Sequence, residues 1–111
     1  MNNIADIGPD DQTYSQHEWA IMLFESPWCG SCKELLRSME KLSLASDIDC
    51  FFGKVDITQN QALAQAYTVM SLPTVVILQK GVQKERFSGG ISEEKFIQKV
   101  KRCIEKDVKN T

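Results

Sequence analysis

Apolar and polar positions divide this chain into short segments of two different periods. Residues 19–24, Trp-Ala-Ile-Met-Leu-Phe, form an unbroken apolar run. The run is too short for a typical helix and suits a strand buried on both faces of a sheet. After Ser26-Pro27 the pattern turns helical: Leu35, Leu36, Met39 and Leu42 make one buried stripe, and Lys33, Glu34, Arg37, Glu40 and Lys41 take the wet side. A second apolar run over residues 50–55 predicts another strand, and residues 59–67 predict a short helix with Ala62, Leu63 and Ala66 facing inward. The β-branched stretch Thr74-Val75-Val76-Ile77-Leu78 is the most strand-like segment. Gln79-Lys80-Gly81 then reads as a tight turn into a returning strand at residues 82–87, a hairpin. Gly89-Gly90 breaks the chain. Ser92 is placed to cap a last helix with Glu93 and Glu94 in its first turn. Phe96, Ile97, Val100, Cys103 and Ile104 form the inner stripe of that helix, and Lys99, Lys101, Arg102 and Lys106 its exposed side or end. Upstream, residues 4–7 carry a weak strand signal, Gly8-Pro9-Asp10-Asp11 reads as a turn, and residues 13–18 as one or two helical turns.

The order is strand, helix, strand, helix, hairpin, helix. The first half implies parallel strands joined by crossover helices, and the hairpin adds an antiparallel edge. The expected class is α/β, a small mixed sheet covered by helices on both faces. With 111 residues and 42% apolar content the chain supports a core of its own, as one domain. Thirteen basic against fifteen acidic residues leave a net charge of −2, which lacks the electrostatic footprint of a nucleic-acid binder. No apolar run approaches the length of a membrane helix, and the first residues carry neither a basic region nor an apolar stretch of the secretory kind. A soluble cytoplasmic protein is expected, without nucleic-acid or membrane partners. Four cysteines are too few for a disulfide scaffold.

Two of those cysteines carry the chemistry. Trp28-Cys29-Gly30-Ser31-Cys32-Lys33 stands where a buried strand ends and a helix begins. A two-residue spacing lets the thiols close a small disulfide ring within the first helical turn. Cys29 falls at the helix N-terminus, where free backbone N–H groups and the positive end of the dipole favour a thiolate and lower its pKa. Cys32, one turn further in, is expected to be more shielded. An exposed Cys29 would then attack a partner disulfide, and Cys32 would resolve the mixed disulfide. Two other readings stand beside this one. A CxxC pair is half of a zinc site, which needs two further ligands; both thiols are otherwise simple packing groups. Cys50 and Cys103 fall in a strand and on a helix stripe and read as small buried hydrophobes. The methionines read as gap fillers, with Met70 near Leu72 placed beside a docking patch.

These segments resemble the thioredoxin family over most of the chain, without a gap from about Phe24 to Gly89. The family's WCGPCK site is here WCGSCK at residues 28–33, and its cis-proline segment is Leu72-Pro73-Thr74. The stretch 54–60, Lys-Val-Asp-Ile-Thr-Gln-Asn, is similar to the family's segment after the third strand. Gly81 matches its hairpin turn, and Gly89 its glycine before the last helix. The resemblance implies a thioredoxin fold over residues 1–111 with its core at about 19–106 and an abbreviated beginning. It implies that Leu72 and Pro73 pack against the dithiol and help exclude metal. A proline lacks an N–H and leaves the adjoining backbone free to pair with an extended substrate. Trp28, Gly30, Ile57, Leu72, Pro73 and Gly89 are the implied docking patch, and Trp19 is assigned to the core edge.

The departures bear on mechanism. The family carries a buried Asp six residues before its first cysteine, and protein disulfide isomerases carry Glu; here the position is Leu23. Glu25, two residues later on the same side of an ideal strand, replaces the family's tryptophan and is a candidate proton carrier, with Lys54 as a candidate supporting residue. Ser31 replaces the usual proline and adds a hydroxyl and an N–H beside Cys29. Pro27-Trp28 resembles the Pro-Trp-Cys of disulfide isomerases.

The expected function is reduction of disulfides in partner proteins by a monomer. No cofactor is bound, the redox group is the Cys29–Cys32 pair, and the resemblance implies a flavin-dependent, NADPH-using thioredoxin reductase as electron donor. Disulfide formation or isomerisation is the alternative, as is an interaction module whose redox activity is dispensable.

Overall fold

A computed structural model describes residues 4–45 and 48–109, with side chains described through residue 105. Five strands form one sheet in the order β1-β3-β2-β4-β5, where β1 is Ile4–Asp6, β2 Trp19–Glu25, β3 Phe51–Asp56, β4 Thr74–Gln79 and β5 Val82–Ser88. Strand β3 lies parallel to both β1 and β2, while β2–β4 and β4–β5 are antiparallel. The antiparallel half therefore begins one strand earlier than the hairpin that predicts it. Helix α1 is Gly30–Ser43, α2 Gln61–Ala66 and α3 Glu93–Lys109, and a 3-10 turn occupies Thr13–Gln16.

The central strands carry side chains into two cores. On one side of the sheet Trp19, Ile21, Leu23, Phe52, Val75 and Ile77 meet Leu35, Met39 and Leu42 of α1 and Phe96 and Val100 of α3. On the other side Ala20, Met22, Phe24, Val55, Val76 and Leu78 meet Ile7 and Tyr14, with Leu63, Ala64 and Tyr67 packed against them. All six residues of the first apolar run are buried, as a strand covered on both faces requires. The mixed sheet with helices on both faces is the expected architecture.

Several local expectations are corrected. Helix α2 is shorter than residues 59–67 because Asp56 and Asn60 take the preceding residues into a turn. The Asp56 carboxylate accepts from the Thr58 N–H at 2.9 Å, and the Asn60 side chain caps α2 by accepting from the Leu63 N–H at 3.2 Å. With the helix start shifted, Leu63 and Ala64 face the core, and Ala62 and Ala66 are exposed. Strand β3 begins at Phe51 rather than Cys50. Cys50 and Cys103 are only half-buried, against the α1–α3 core. Met22 and Met39 fill the cores, whereas Met70 stands in solvent. Lys101 and Glu40 are half-buried, and the Lys106 side chain lies outside the described residues.

Two tight places depend on glycine. The hairpin turns on Lys80 and Gly81, both at positive φ (48° and 81°), a pairing that twists with the flanking strands. At Gly53 a Cβ would stand 2.5 Å from the Ile7 Cδ1, so β3 passes there without a side chain. The Ser92 hydroxyl caps α3 by accepting from the Lys95 N–H at 3.2 Å, as its sequence position predicts.

Candidate active site

The carboxyl end of β2 delivers the chain to the dithiol. After Glu25, the Ser26-Pro27 turn closes with the Cys29 N–H donating to the Ser26 carbonyl at 3.3 Å. Cys29 is the N-cap of α1, in extended conformation, and Cys32 lies one turn inside. The two are joined as a disulfide with their Cα atoms 5.2 Å apart. Their surroundings differ sharply. Cys32 has 0% exposure, on the buried face of α1, whereas Cys29 is half-exposed at the helix mouth. The Cys29 Sγ accepts from the Cys32 N–H at 3.2 Å, and the Ser31 Oγ stands 3.6 Å away. A first-turn helix N–H with no carbonyl to take it and a nearby hydroxyl both favour negative charge on that sulfur. The sequence assigns this help to the Ser31 N–H; the geometry assigns it to the Cys32 N–H and the Ser31 hydroxyl.

The Pro73 loop stands beside this pair. Pro73 is buried and follows a cis peptide bond from Leu72. Its carbonyl accepts from the Gly89 N–H at 2.9 Å, and a Cβ at Gly90 would meet the Ser31 Cβ at 3.8 Å. Pro73, Gly89 and the first turn of α1 thus share one end of the sheet. Trp28 is 82% exposed and Met70 87% exposed, two large apolar groups left in water at that end. Leu72 is half-buried against the α2-side core. Ile57 donates its N–H to the Glu25 carbonyl at 2.9 Å and borders a shallow groove with Thr58, Gln61, Ala64 and Gln65 on the α2 side. Gly30 and Lys33 are exposed on the first turn of α1.

Glu25 and Lys54 belong to a charged group at the strand ends. Glu25 pairs with Asp56 in the β2–β3 register, and Lys54 with Leu23. The Lys54 ammonium stands 3.5 Å from Asp6. Burial pushes the Glu25 carboxyl above its ordinary range; Lys54 pulls it down, and Asp56 and Asp6 push it up. Leu23 is fully buried and ends the stripe that faces α1. Among the described residues no group of three or more His, Cys, Asp or Glu is gathered as a metal site would require.

Sequence reasoning misses the groups that hold the Pro73 loop. The Thr74 hydroxyl donates to the Ser71 carbonyl at 2.7 Å and so accepts from the Ser88 hydroxyl at 3.0 Å. Arg86 reaches from β5 to the carbonyls of Tyr67 and Thr68. A single arginine in an exposed strand carries no periodic signal, and only the fold brings it to the end of α2.

The thioredoxin family model matches residues 10–102. Putative thioredoxin 2 of Streptomyces coelicolor is 36% identical over 83 residues, 75% of this chain and 61% of that protein. Protein disulfide-isomerase A4 of Bos taurus is 32% identical over 94 residues, 82% of this chain and 14% of that protein. Among solved structures, a thioredoxin mutant from Halobacterium salinarum superposes with a TM-score of 0.75 at 29% identity, covering 84% of this chain and 83% of that one. The fold, the CxxC pair at the mouth of α1 and these matches agree: this chain belongs to the thioredoxin family.

Proposed function

We propose that the protein reduces disulfides in partner proteins by thiol–disulfide exchange. The observation that carries this reading is the asymmetry of one bonded pair, a half-exposed Cys29 capping α1 and a fully buried Cys32. In the reduced protein the Cys29 thiolate attacks one sulfur of a partner disulfide. The partner's S–S bond breaks, a mixed disulfide forms, and the departing partner sulfur takes a proton. The Cys32 thiol then gives up its proton and attacks the Cys29 Sγ, freeing the second partner thiol. The partner gains two electrons, and the chain returns to the Cys29–Cys32 disulfide. A flavin-dependent, NADPH-using thioredoxin reductase is the proposed source of those electrons, and the reducing cytoplasm the proposed setting. The protein acts as a monomer in this scheme.

The partner lies extended against the Pro73 edge, with Trp28, Met70 and Leu72 giving apolar contact and Ile57, Gly30 and Gly89 flanking it. Glu25 is the proposed proton carrier for Cys32. Its support is a half-buried carboxyl whose burial favours the protonated form, four residues before Cys29 on the strand that feeds the site. Lys54 moderates that proton affinity.

Trapping tests the scheme. Cys32→Ser should accumulate a covalent adduct with reduced-side attack on a protein disulfide such as insulin, and Cys29→Ser should form none. Full turnover by either variant would overturn it.

A further inference from the structure

The loop that carries Met70, Leu72 and Pro73 leaves α2 through a costly conformation. Thr68, a β-branched residue, sits at φ 51°, in the left-handed region. That region crowds the Cβ of an L-residue against the backbone, so the surrounding contacts must hold the turn. The backbone supplies part of the hold: the Tyr67 N–H donates to Leu63 at 3.1 Å and the Val69 N–H to Ala64 at 2.9 Å, closing the helix end. That closure leaves the Tyr67 and Thr68 carbonyls pointing off the helix.

Arg86 takes both. Its two terminal nitrogens donate to the Tyr67 carbonyl at 2.6 Å and the Thr68 carbonyl at 3.3 Å. Arg86 pairs with Val76 of β4, whose side chain belongs to the α2-side core, so the guanidinium crosses that face of the sheet. A planar fork matches two successive carbonyls and fixes their relative orientation, which a single ammonium does not do. The same strand holds the other end of the loop, through Ser88 to Thr74 and through the Gly89 N–H to the Pro73 carbonyl. Residues 69–73 are thus suspended between two anchors on β5 and its end, and Met70 projects into solvent from that span.

We propose that Arg86 is a positioning residue for partner recognition: by fixing the take-off of this loop at the left-handed Thr68, it sets where Met70 and Leu72 meet an extended disulfide-bearing polypeptide. It does so without contacting the dithiol. The inference rests on the docking mode proposed above. A small disulfide that needs no apolar docking is indifferent to the loop.

The test compares Arg86→Gln and Arg86→Lys with the unaltered protein on two substrates, insulin and the small disulfide 5,5′-dithiobis(2-nitrobenzoate). Loss of charged hydrogen bonds should raise KM for insulin about tenfold in Arg86→Gln, with kcat held within about twofold. Arg86→Lys should recover only part of the loss. The rate with the small disulfide and the Cys29–Cys32 potential should stay unchanged in both variants. An unchanged KM for insulin overturns the proposal. So does a parallel loss with the small disulfide, which marks a merely structural effect. Amide hydrogen exchange at Val69 is read alongside, and Arg86→Gln should accelerate it. Should the unaltered protein itself fail to reduce insulin, the docking mode falls first. An unaccelerated Val69 amide would then overturn the anchoring by itself. Arg86→Lys keeps the comparison available if Arg86→Gln does not fold.

Discussion

Thiols of one chemical kind meet opposite surroundings in this chain. Cys50 lies against the α1–α3 core, where burial, then the nearby Asp49 charge, pushes its thiol up to about 12 against a small opposing backbone hydrogen bond. Its thiolate fraction near pH 8 is therefore about a thousandfold below that of an ordinary cysteine, and alkylation should slow in proportion. Timed iodoacetamide labelling of a Cys29→Ser/Cys32→Ser variant, read by mass spectrometry, checks this; labelling at an ordinary rate contradicts it. Glu25 supplies a second contrast. Because burial raises its carboxyl, the folded state binds that proton more tightly than the unfolded state does. Its favourable contribution is complete below 4.5, the ordinary value, and is lost as pH rises through the raised one. Glu25→Gln should therefore raise Tm at pH 7 and change it little at pH 4. If Glu25 carries the Cys32 proton, the same variant slows resolution of the mixed disulfide on the order of a hundredfold. Stopped-flow release of the partner thiol measures this, and an unchanged rate removes Glu25 from the chemistry.

At the scale of elements, legibility followed the strength of local periodicity. Strand β2 and the stripes of α1 and α3 are plain in the sequence because each is an uninterrupted pattern with a clear break at its end. The same holds for WCGSCK, whose place at a strand-to-helix junction already separates Cys29 from Cys32. Hydrophobic spacing places the start of α2 two residues too early, because that start is decided by side-chain capping. Asn60 caps the helix and also donates to the Gly8 carbonyl at 3.1 Å, tying the helix to the loop after β1. Asn60→Ala should cost about 1–2 kcal/mol in urea unfolding; a loss below a few tenths would show that the cap is redundant. Pro73 is legible through the resemblance of Leu72-Pro73-Thr74 to the family's cis-proline segment, but the anchors of its loop are not. Arg86 and Ser88 act across the sheet, and their partners lie 19 and 14 residues away in sequence. The proton-carrying position was also obscure, because Leu23 removes the expected acid and Glu25 belongs to a cluster assembled from three strands.

For the whole molecule, one sheet carries two cores and leaves the chemistry at the end where β2 gives way to α1. Phe96 closes the α1–α3 core with no exposure, edge-on to Phe87 at 6.1 Å between ring centres. Phe96→Ala should destabilise by about 3–5 kcal/mol, with the dithiol chemistry intact in whatever fraction remains folded; calorimetry and the insulin assay at low temperature separate the two. Everything proposed for this site turns on the molecule working as a reductant. Its direct test is the equilibrium reduction potential of Cys29–Cys32, titrated in dithiothreitol or glutathione buffers with Cys50 and Cys103 replaced by Ala. A reductant of this kind should give about −250 mV or lower, in the range of thioredoxin-like reductants. A potential above about −200 mV would place the pair with isomerases and oxidants and contradict it.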